Sequence, residues 1–334
     1  MATLYLVEAG TNLFKEHSRF IIHVPEKDKV EVLIKDIERI LLFGNINLST
    51  PAISACLQSK INVLFLSPSG QYKGHLWSKE ACNLNAELLQ FKRHKNEQFQ
   101  LTISKAIVIG KLLNSKQLLL RLNRKRKILT VQKAISGISA DLDAIATIDN
   151  IDSLRGYEGV AAARYFPAFG QLITNSNFEF SVRTRQPPTD PVNSLLSFGY
   201  TLLYNNVLSL IIAEGLSPYL GNFHYGEHKK TYLAFDLMEE FRSPVVDSLV
   251  ISIINKSVLK PDDFDVSVRD RGVYLTGSSR RIFLNRFEKR MNEKVAHPEF
   301  STQITYREAM QWQIRLYKRS LLTTATYEAF LRSA

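Results

Sequence analysis

The chain has 334 residues, which is long for one hydrophobic core, so two domains are expected. It carries 43 Lys and Arg against 32 Asp and Glu, a formal net charge of +11. Such an excess favours a polyanionic partner, nucleic acid before an anionic membrane, although scattered lysines on an ordinary basic protein give the same charge. The two cysteines form no CxxC pair, which argues against a disulfide framework or a zinc site and favours a reducing cytoplasm. The sequence has no signal-peptide pattern and no run near the ~20 apolar residues of a membrane span, so no membrane association is expected.

Residues 1–80 are predicted to form a small β-sandwich-like domain. Short β-rich runs, separated by turn residues, occupy residues 5–7, 20–23, 30–34, 37–42, 61–66 and 72–77. Thr50 and Pro51 have the pattern of an N-cap and first residue of one short helix that reaches Leu57. A domain this short buries little apolar surface, so we expect pairing with a second copy to protect its strands and assign it to dimerisation.

Residues 81–334 are predicted to form a larger, all-α domain, which makes the fold class α+β. Apolar residues recur at helical spacing from Leu84 onwards, and residues 195–213 are predicted to form a long apolar helix in the core. Residues 175–193 contain Pro187, Pro188 and Pro191, which predicts an ordered loop or hinge between helices.

Basic residues are concentrated near the end of one predicted helix. Lys and Arg often decorate helix C-termini, but five within the seven positions 121–127 exceed that role and predict contacts with phosphates. Two more candidates lie beside the proline-rich loop, and for any single one a solvated side chain is the ordinary alternative. The predicted DNA-binding residues are Arg121, Arg124, Lys125, Arg126, Lys127, Arg183 and Arg185.

Three short segments combine carboxylates with a histidine. They are RGYEG with Glu158, LGNFH with His224, and FDLMEEFR with Asp236, Glu239 and Glu240. A set of oxygen and imidazole ligands suits Mg²⁺ or Mn²⁺ better than a thiolate metal. Taken alone, each residue has a simpler interpretation: Glu158 as a helix carboxylate paired with Arg155, His224 as a loop histidine, and the acidic group as a solvated helix face. Spacing does not bring the segments together, so metal-dependent phosphodiester chemistry is one interpretation among these.

Four ordered motifs resemble the signature of one known family. LRGYEG, RQPPTDPVNSLLSFGYTLLYN, GLSPYLGNFH and LAFDLMEEFR are similar to the CRISPR-associated endonucleases and integrases called Cas-one. The resemblance covers the helical part of the chain and fits the β-rich part as well. It implies that Glu158, His224 and Glu239 are catalytic and ligate a divalent metal, Mg²⁺ or Mn²⁺. Asp236 matches a further acidic position in or beside the site, and Glu240 is less suited to ligation.

The resemblance also implies an activity and partners. We expect a metal-dependent DNA endonuclease and integrase of CRISPR adaptation, which joins the 3′-hydroxyl ends of prespacer DNA to the CRISPR array by transesterification. The expected partners are double-stranded DNA (prespacer and leader–repeat), a second copy in a homodimer, and the CRISPR-associated Cas-two protein. Two alternatives remain open: a non-catalytic DNA-binding scaffold and a plain metal-dependent nuclease.

Overall fold

The chain divides into two compact units. The computed structural model describes residues 2–68, 70–76, 84–226 and 230–332. One unit comprises Met1–Leu84 with Ile212–Leu216, and the other comprises Asn85–Ile211 with Ser217–Ala334. The boundary expected between residues 80 and 81 lies outside the described residues. The strand-rich amino-terminal part and the mainly helical remainder confirm the α+β class.

The first unit contains two four-stranded sheets. Its strands are β1 (Ala2–Leu6), β2 (Asn12–Glu16), β3 (Arg19–His23), β4 (Val30–Leu33), β5 (Ile37–Phe43), β6 (Asn47–Leu48), β7 (Asn62–Leu66) and β8 (Tyr72–Leu76), with a 3₁₀ turn at Ile34–Asp36. One sheet has the order β1-β5-β7-β8 and the other β4-β3-β2-β6. The first three strands of the former are parallel, and β8 runs antiparallel to β7.

One apolar core serves both sheets and the helix α1 (Thr50–Gln58). Leu13 and Phe20 from one sheet, Ile40 and Val63 from the other, and Ala52 from the helix are all fully buried in it. The helix starts at Thr50, one residue earlier than expected, because the Ser49 hydroxyl accepts a hydrogen bond from the Ala52 amide. The two sheets share one core, as expected for the predicted β-sandwich-like domain.

The remaining chain is mainly helical. Its helices are α2 (Leu84–His94), α3 (Glu97–Asn123), α4 (Leu129–Ala146), α5 (Ile151–Gly170), α6 (Pro191–Ala213), α7 (Tyr232–Phe241), α8 (Ser248–Asn255), α9 (Gly277–Met291) and α10 (Tyr306–Leu322). A π-helical turn, Arg242–Asp247, joins α7 to α8 without a break. Short antiparallel pairs, β9 (Phe264–Val266) with β10 (Val273–Leu275) and β11 (Lys294–Val295) with β12 (Ile304–Thr305), lie between helices, with a 3₁₀ turn at Pro261–Asp263.

Helix α6 is the long apolar helix that the sequence predicts. It starts at Pro191, four residues earlier than expected, because the Asp190 carboxylate accepts a hydrogen bond from the Asn193 amide at 2.8 Å and a proline is favoured in a first helical turn. By length and composition this helix would also suffice to cross a membrane, but 78% of its apolar window is buried inside the protein. Burial of this kind is typical of a core helix.

The last residues before the carboxyl terminus lie against α3 and α7 as an extended segment. Asn114 on α3 donates one amide hydrogen to the Phe330 carbonyl and the other to the Glu240 carbonyl, both at 2.8 Å. The Phe330 ring stacks on Phe241 with centroids 4.8 Å apart. Gly110 permits this approach, since a Cβ there would overlap the Ala329 side chain. The segment therefore supports the helix that carries the acidic motif.

Candidate metal and active site

Two of the three predicted metal ligands meet at one lysine. Glu158 projects from α5, Glu239 from α7 and Lys111 from α3, and these helices pack against one another. The Lys111 ammonium pairs with Glu158 Oε1 and lies 2.7 Å from Glu239 Oε2. The three side chains are 16%, 22% and 2% exposed for Lys111, Glu158 and Glu239. A single positive charge is thus shared by two carboxylates in a mostly buried position.

Opposing electrostatic effects set the charge of Glu239. Burial raises the pKa of this carboxyl, but the charges of Arg242, Lys111 and His224 outweigh burial and bring its pKa to about 2. Arg242 Nη2 lies 2.8 Å from Glu239 Oε1, and its guanidinium stacks over the Tyr200 ring at 4.7 Å. Glu239 Oε2 is buried and accepts no hydrogen bond of good geometry, although Lys111 is near. Glu239 is therefore an anion with one oxygen available to a cation.

Asp236 organises the loop that carries His224. Its fully buried carboxylate accepts hydrogen bonds from the backbone amides of Asn222 (2.5 Å), Phe223 (3.0 Å) and His224 (2.9 Å). Asp236 Oδ1 also lies 2.8 Å from His224 Nδ1. Because a carboxylate accepts, the neutral ring that can ligate a metal carries its proton on Nδ1 and its lone pair on Nε2. Asp236 thus lies beside the site as an orienting group.

Arg155 fixes the same loop from α5. Its Nη2 donates to the Phe223 carbonyl at 2.6 Å, and its guanidinium lies 4.0 Å from the centre of the Tyr225 ring. Its carboxylate partner is Asp152 at 3.2 Å. The interpretation of Glu158 as a helix carboxylate paired with Arg155 is therefore wrong, since Glu158 pairs with Lys111 instead.

An open pocket of about 400 Å³ lies at this loop. Tyr219 and Tyr225 are half-exposed in its wall, and Lys230 adds a cation. Among the described residues, the lining consists of His94, Tyr219, Leu220, Gly221, His224, Tyr225, Gly226, Lys230 and Tyr232. The pocket gives a ligand access to His224 past aromatic and basic side chains.

Glu240 turns away from the other acidic residues. Its carboxylate accepts hydrogen bonds from Tyr327, from the Phe330 amide at 2.6 Å and from Gln313 at 3.0 Å. Burial raises its pKa to about 7, and these hydrogen bonds only partly oppose the effect. Its place in the C-terminal contact agrees with its lesser suitability as a ligand.

The three predicted ligands do not form a closed ligand set. Within residues 2–68, 70–76, 84–226 and 230–332, no group of three or more His, Cys, Asp or Glu side chains stands ready to hold a metal ion. Glu158 and Glu239 share Lys111, and His224 is near enough for its charge to lower the pKa of Glu239. Sequence reasoning missed Lys111, whose signal is a lone cation in the apolar run IVIGKLL.

The predicted DNA-binding residues have different surroundings. Arg121 is on the last turn of α3, and residues 124–127 follow as an exposed turn. Arg183 is held against the start of α6, donating to Asn193 Oδ1 at 2.8 Å and Ser197 Oγ at 3.0 Å. Arg185 is exposed. Arg183 therefore supports the proline-rich loop, whether or not it also reaches a phosphate.

The fold consists of a strand-rich unit and a helical unit. In the helical unit, the Lys111 ammonium lies between the carboxylates of Glu158 and Glu239, and Asp236 orients the nearby His224 ring. The profile of the family described as CRISPR associated protein Cas1 matches residues 4–289. The chain belongs to this family, the Cas-one family that its motifs resemble.

Relatives and solved structures agree with this assignment. A Thermus thermophilus protein named CRISPR-associated endonuclease Cas1 3 is 33% identical over 99% of this chain and 97% of its own length. A Geobacter sulfurreducens exonuclease Cas4/endonuclease Cas1 fusion is 31% identical over 95% of this chain, which spans only 58% of the fusion. Among solved structures, a casposase bound to integration product has a TM-score of 0.85 at 23% identity, covering 98% of this chain and 93% of its own. A Cas6-RT-Cas1–Cas2 complex has a TM-score of 0.82 at 26% identity, covering 98% of this chain and 36% of that one.

Proposed function

We propose that this protein is a divalent-metal-dependent DNA endonuclease and integrase of CRISPR adaptation. Its reaction joins the 3′-hydroxyl ends of prespacer DNA to the CRISPR array by transesterification. The observation that carries the proposal is the shared cation position between Glu158 and Glu239, next to a histidine whose second nitrogen is already engaged. The named activity of the relatives agrees with it.

The donor set fits Mg²⁺ or Mn²⁺. Carboxylate oxygens with one imidazole nitrogen match the preferences of these ions, and a metal at the buried Glu239 Oε2 would replace its ion pair with Lys111. Glu158, His224 and Glu239 would hold the metal, with Asp236 fixing the ring of His224. A metal bound there would polarise the attacked phosphate and stabilise charge on the attacking and leaving oxygens.

The remaining side chains prepare the site for an anionic substrate. Arg242 keeps Glu239 in place through the contact at Oε1, so that the carboxylate stays ionised without Lys111. Lys111, once released from the carboxylates, reaches a non-bridging phosphate oxygen with the same ammonium. Arg155 and Asp236 hold the loop, and therefore His224, in one orientation toward the substrate.

The proposed partners follow from charge and from the relatives. A net charge of +11 favours double-stranded DNA, here prespacer and leader–repeat, bound by Arg121, Arg124, Lys125, Arg126, Lys127, Arg183 and Arg185. The named contents of the related assemblies, an integration product and Cas2, support DNA and the Cas-two protein. We further propose a homodimer formed through residues 1–80 and action in the cytoplasm.

A strand-transfer assay separates the proposal from its two alternatives. Wild-type protein, Cas-two partner, Mn²⁺ or Mg²⁺ and a short duplex with 3′-hydroxyl ends are mixed with a plasmid that carries a leader and repeat. Covalent joining is expected, and it should vanish with 3′-dideoxy ends, with chelator, or with Glu158→Gln or Glu239→Ala. The matched control Glu240→Gln removes a neighbouring charge that faces away and should retain joining.

The other outcomes each select an alternative. Nicking of the plasmid without joining leaves a plain metal-dependent nuclease. Binding of DNA with neither nicking nor joining leaves a non-catalytic scaffold. Joining that survives in Glu158→Gln and Glu239→Ala would overturn the assignment of the metal ligands.

A further inference from the structure

Helix α9 presents a row of cations away from the metal site. Arg286, Lys289 and Arg290 are spaced i, i+3 and i+4, which places them on one helix face. They line a recess of about 190 Å³ together with Lys256 from the turn after α8. Glu293 is the one carboxylate among the described residues of that lining. The recess therefore carries a strong local excess of positive charge.

Arg290 is held rigidly within this row. Its side chain is 12% exposed, and Nη1 donates to Ser248 Oγ at 3.0 Å. Its Nε lies 3.3 Å from Glu293 Oε2, without hydrogen-bond geometry, so this buried donor has no proper acceptor. A guanidinium whose position is fixed loses little entropy on meeting an anion.

A second unsatisfied group stands next to Arg290. Tyr306 is fully buried, and its hydroxyl has no hydrogen-bond partner among the described residues. Burial raises the pKa of this hydroxyl, while the charges of Arg332, Arg290 and Arg121 oppose that rise. The guanidinium groups of Arg121, Arg290 and Arg332, from α3, α9 and the C-terminal segment, are thus near enough for their charges to act on one buried hydroxyl. Buried polar atoms without partners are rare in proteins and require an explanation.

We propose that these residues extend DNA binding from Arg121 onto a surface around α9, which takes the phosphodiester backbone of duplex DNA. This α9 basic surface consists of Arg121, Lys256, Arg286, Lys289, Arg290 and Arg332. The inference rests on the proposed function, because it presumes that the substrate is DNA, and it adds a contact remote from the reacting phosphate. Along α3, Arg121 and Lys111 are about 15 Å apart at 1.5 Å per residue.

The chemistry favours a chain of phosphates over other anions. Planar guanidinium groups match phosphate oxygens in pairs, and Arg121, Arg290 and Arg332 are all near enough to Tyr306 for their charges to act on its hydroxyl. The other three, Lys256, Arg286 and Lys289, extend the charge along the recess. One isolated phosphate or carboxylate would neutralise only part of this row, whereas a backbone with regularly spaced charges meets it along its length.

The test is a pair of double variants with equal charge change. Arg286→Glu with Lys289→Glu reverses two exposed cations of the surface, and Lys15→Glu with Lys35→Glu reverses two exposed cations of the β-rich unit. Binding of a 30-base-pair duplex is followed by fluorescence anisotropy between 50 and 300 mM salt, in chelator, so that catalysis plays no part. The α9 pair should weaken binding at least tenfold and reduce the salt slope by about two, since each phosphate contact contributes about 0.9. The control pair should change both less.

Several outcomes would overturn the inference. Equal effects of the two pairs would show that only net charge matters. If inorganic phosphate at millimolar concentration competes as well as duplex DNA, the recess is a single-anion site. Unchanged DNA binding with lost capture of the Cas-two protein would assign the surface to a protein partner. Lys256→Glu alone repeats the test if the double variant does not fold, and wild-type protein that binds no DNA would refute the proposed function itself.

Discussion

Replacing Lys111 by Met should make the metal-free protein less stable and its metal site tighter. Met keeps the length and apolar stem of the side chain but removes the ammonium that Glu158 and Glu239 share. Glu239 then retains Arg242 as its remaining ion-pair partner, and Glu158 faces it with a like charge. A divalent cation would restore the missing positive charge without having to displace the lysine.

The size of the effect follows from the contacts. A hydrogen bond to a charged group contributes about 1.5–3 kcal/mol, and Lys111 must give up at least one to admit a metal. Removing that competition should tighten Mn²⁺ binding by about tenfold or more, since about 1.4 kcal/mol corresponds to one factor of ten. Breaking a buried ion pair costs about 3–5 kcal/mol, and because Arg242 remains, the lower limit is the better expectation for the metal-free protein.

Thermal unfolding across a Mn²⁺ titration measures both effects. Lys111→Met should melt below wild type in chelator, show a larger rise in melting temperature on adding Mn²⁺, and begin that rise at a lower metal concentration. Lys116→Met, on the same helix and without a carboxylate partner at the site, is the matched control. If Lys111→Met and Lys116→Met respond to Mn²⁺ alike, Lys111 does not occupy the position of the cation.

Three further predictions concern groups around the site. Asp236→Asn places an amide against three backbone donors and should destabilise the fold by about 2–4 kcal/mol, as measured by chemical unfolding. Because His224 would lose its orientation, the same change should weaken Mn²⁺ binding by about 10–100-fold, as measured by calorimetry. The pKa of Glu240 is raised from its usual 4.5 to about 7, so the folded state holds a proton that the unfolded state releases. The free energy of unfolding should therefore fall by at most about 3 kcal/mol as pH rises from about 4.5 to about 7. Glu240→Gln should flatten this dependence and be the more stable form at pH 8. If urea titrations give wild type and variant the same slope of unfolding free energy against pH, the assignment is contradicted. Gly110→Ala puts a methyl group against Ala329 and should loosen the C-terminal segment, which limited proteolysis would detect as faster cleavage near that residue.

Local patterns predicted the elements that carry the site but not the contacts between them. Helical periodicity predicted a mainly helical part of the chain after residue 80, and α7, which carries Asp236, Glu239 and Glu240, belongs to it. The apolar composition of α6 likewise predicted a buried helix. In contrast, β2 escaped prediction because only Leu13 of its residues is buried, so the strand has no apolar alternation to detect.

The site itself could not be predicted fully, because its contacts join residues that are far apart in the chain. Lys111 meets partners from two other helices, and its one local signal, a lone cation in an apolar run, does not name those partners. The role of Asp236 depends on backbone amides that converge only when the loop is closed. Arg183 likewise has contacts that its local sequence does not indicate, since it donates hydrogen bonds to Asn193 and Ser197.

Helix α3 also fixes the distance along its axis between two basic residues. Lys111 and Arg121 belong to one uninterrupted helix, so about 15 Å of backbone separates them whatever their side chains do. Phosphates along one DNA strand follow at about 3.4 Å on the duplex axis, and the interval therefore corresponds to about four to five nucleotides. In the proposed complex with DNA, the length of this helix would therefore determine which nucleotide meets Arg121. One residue inserted between Lys111 and Arg121 would turn Arg121 by about 100° around the helix axis. Arg121 would then lie on a different face of the helix and farther from Lys111.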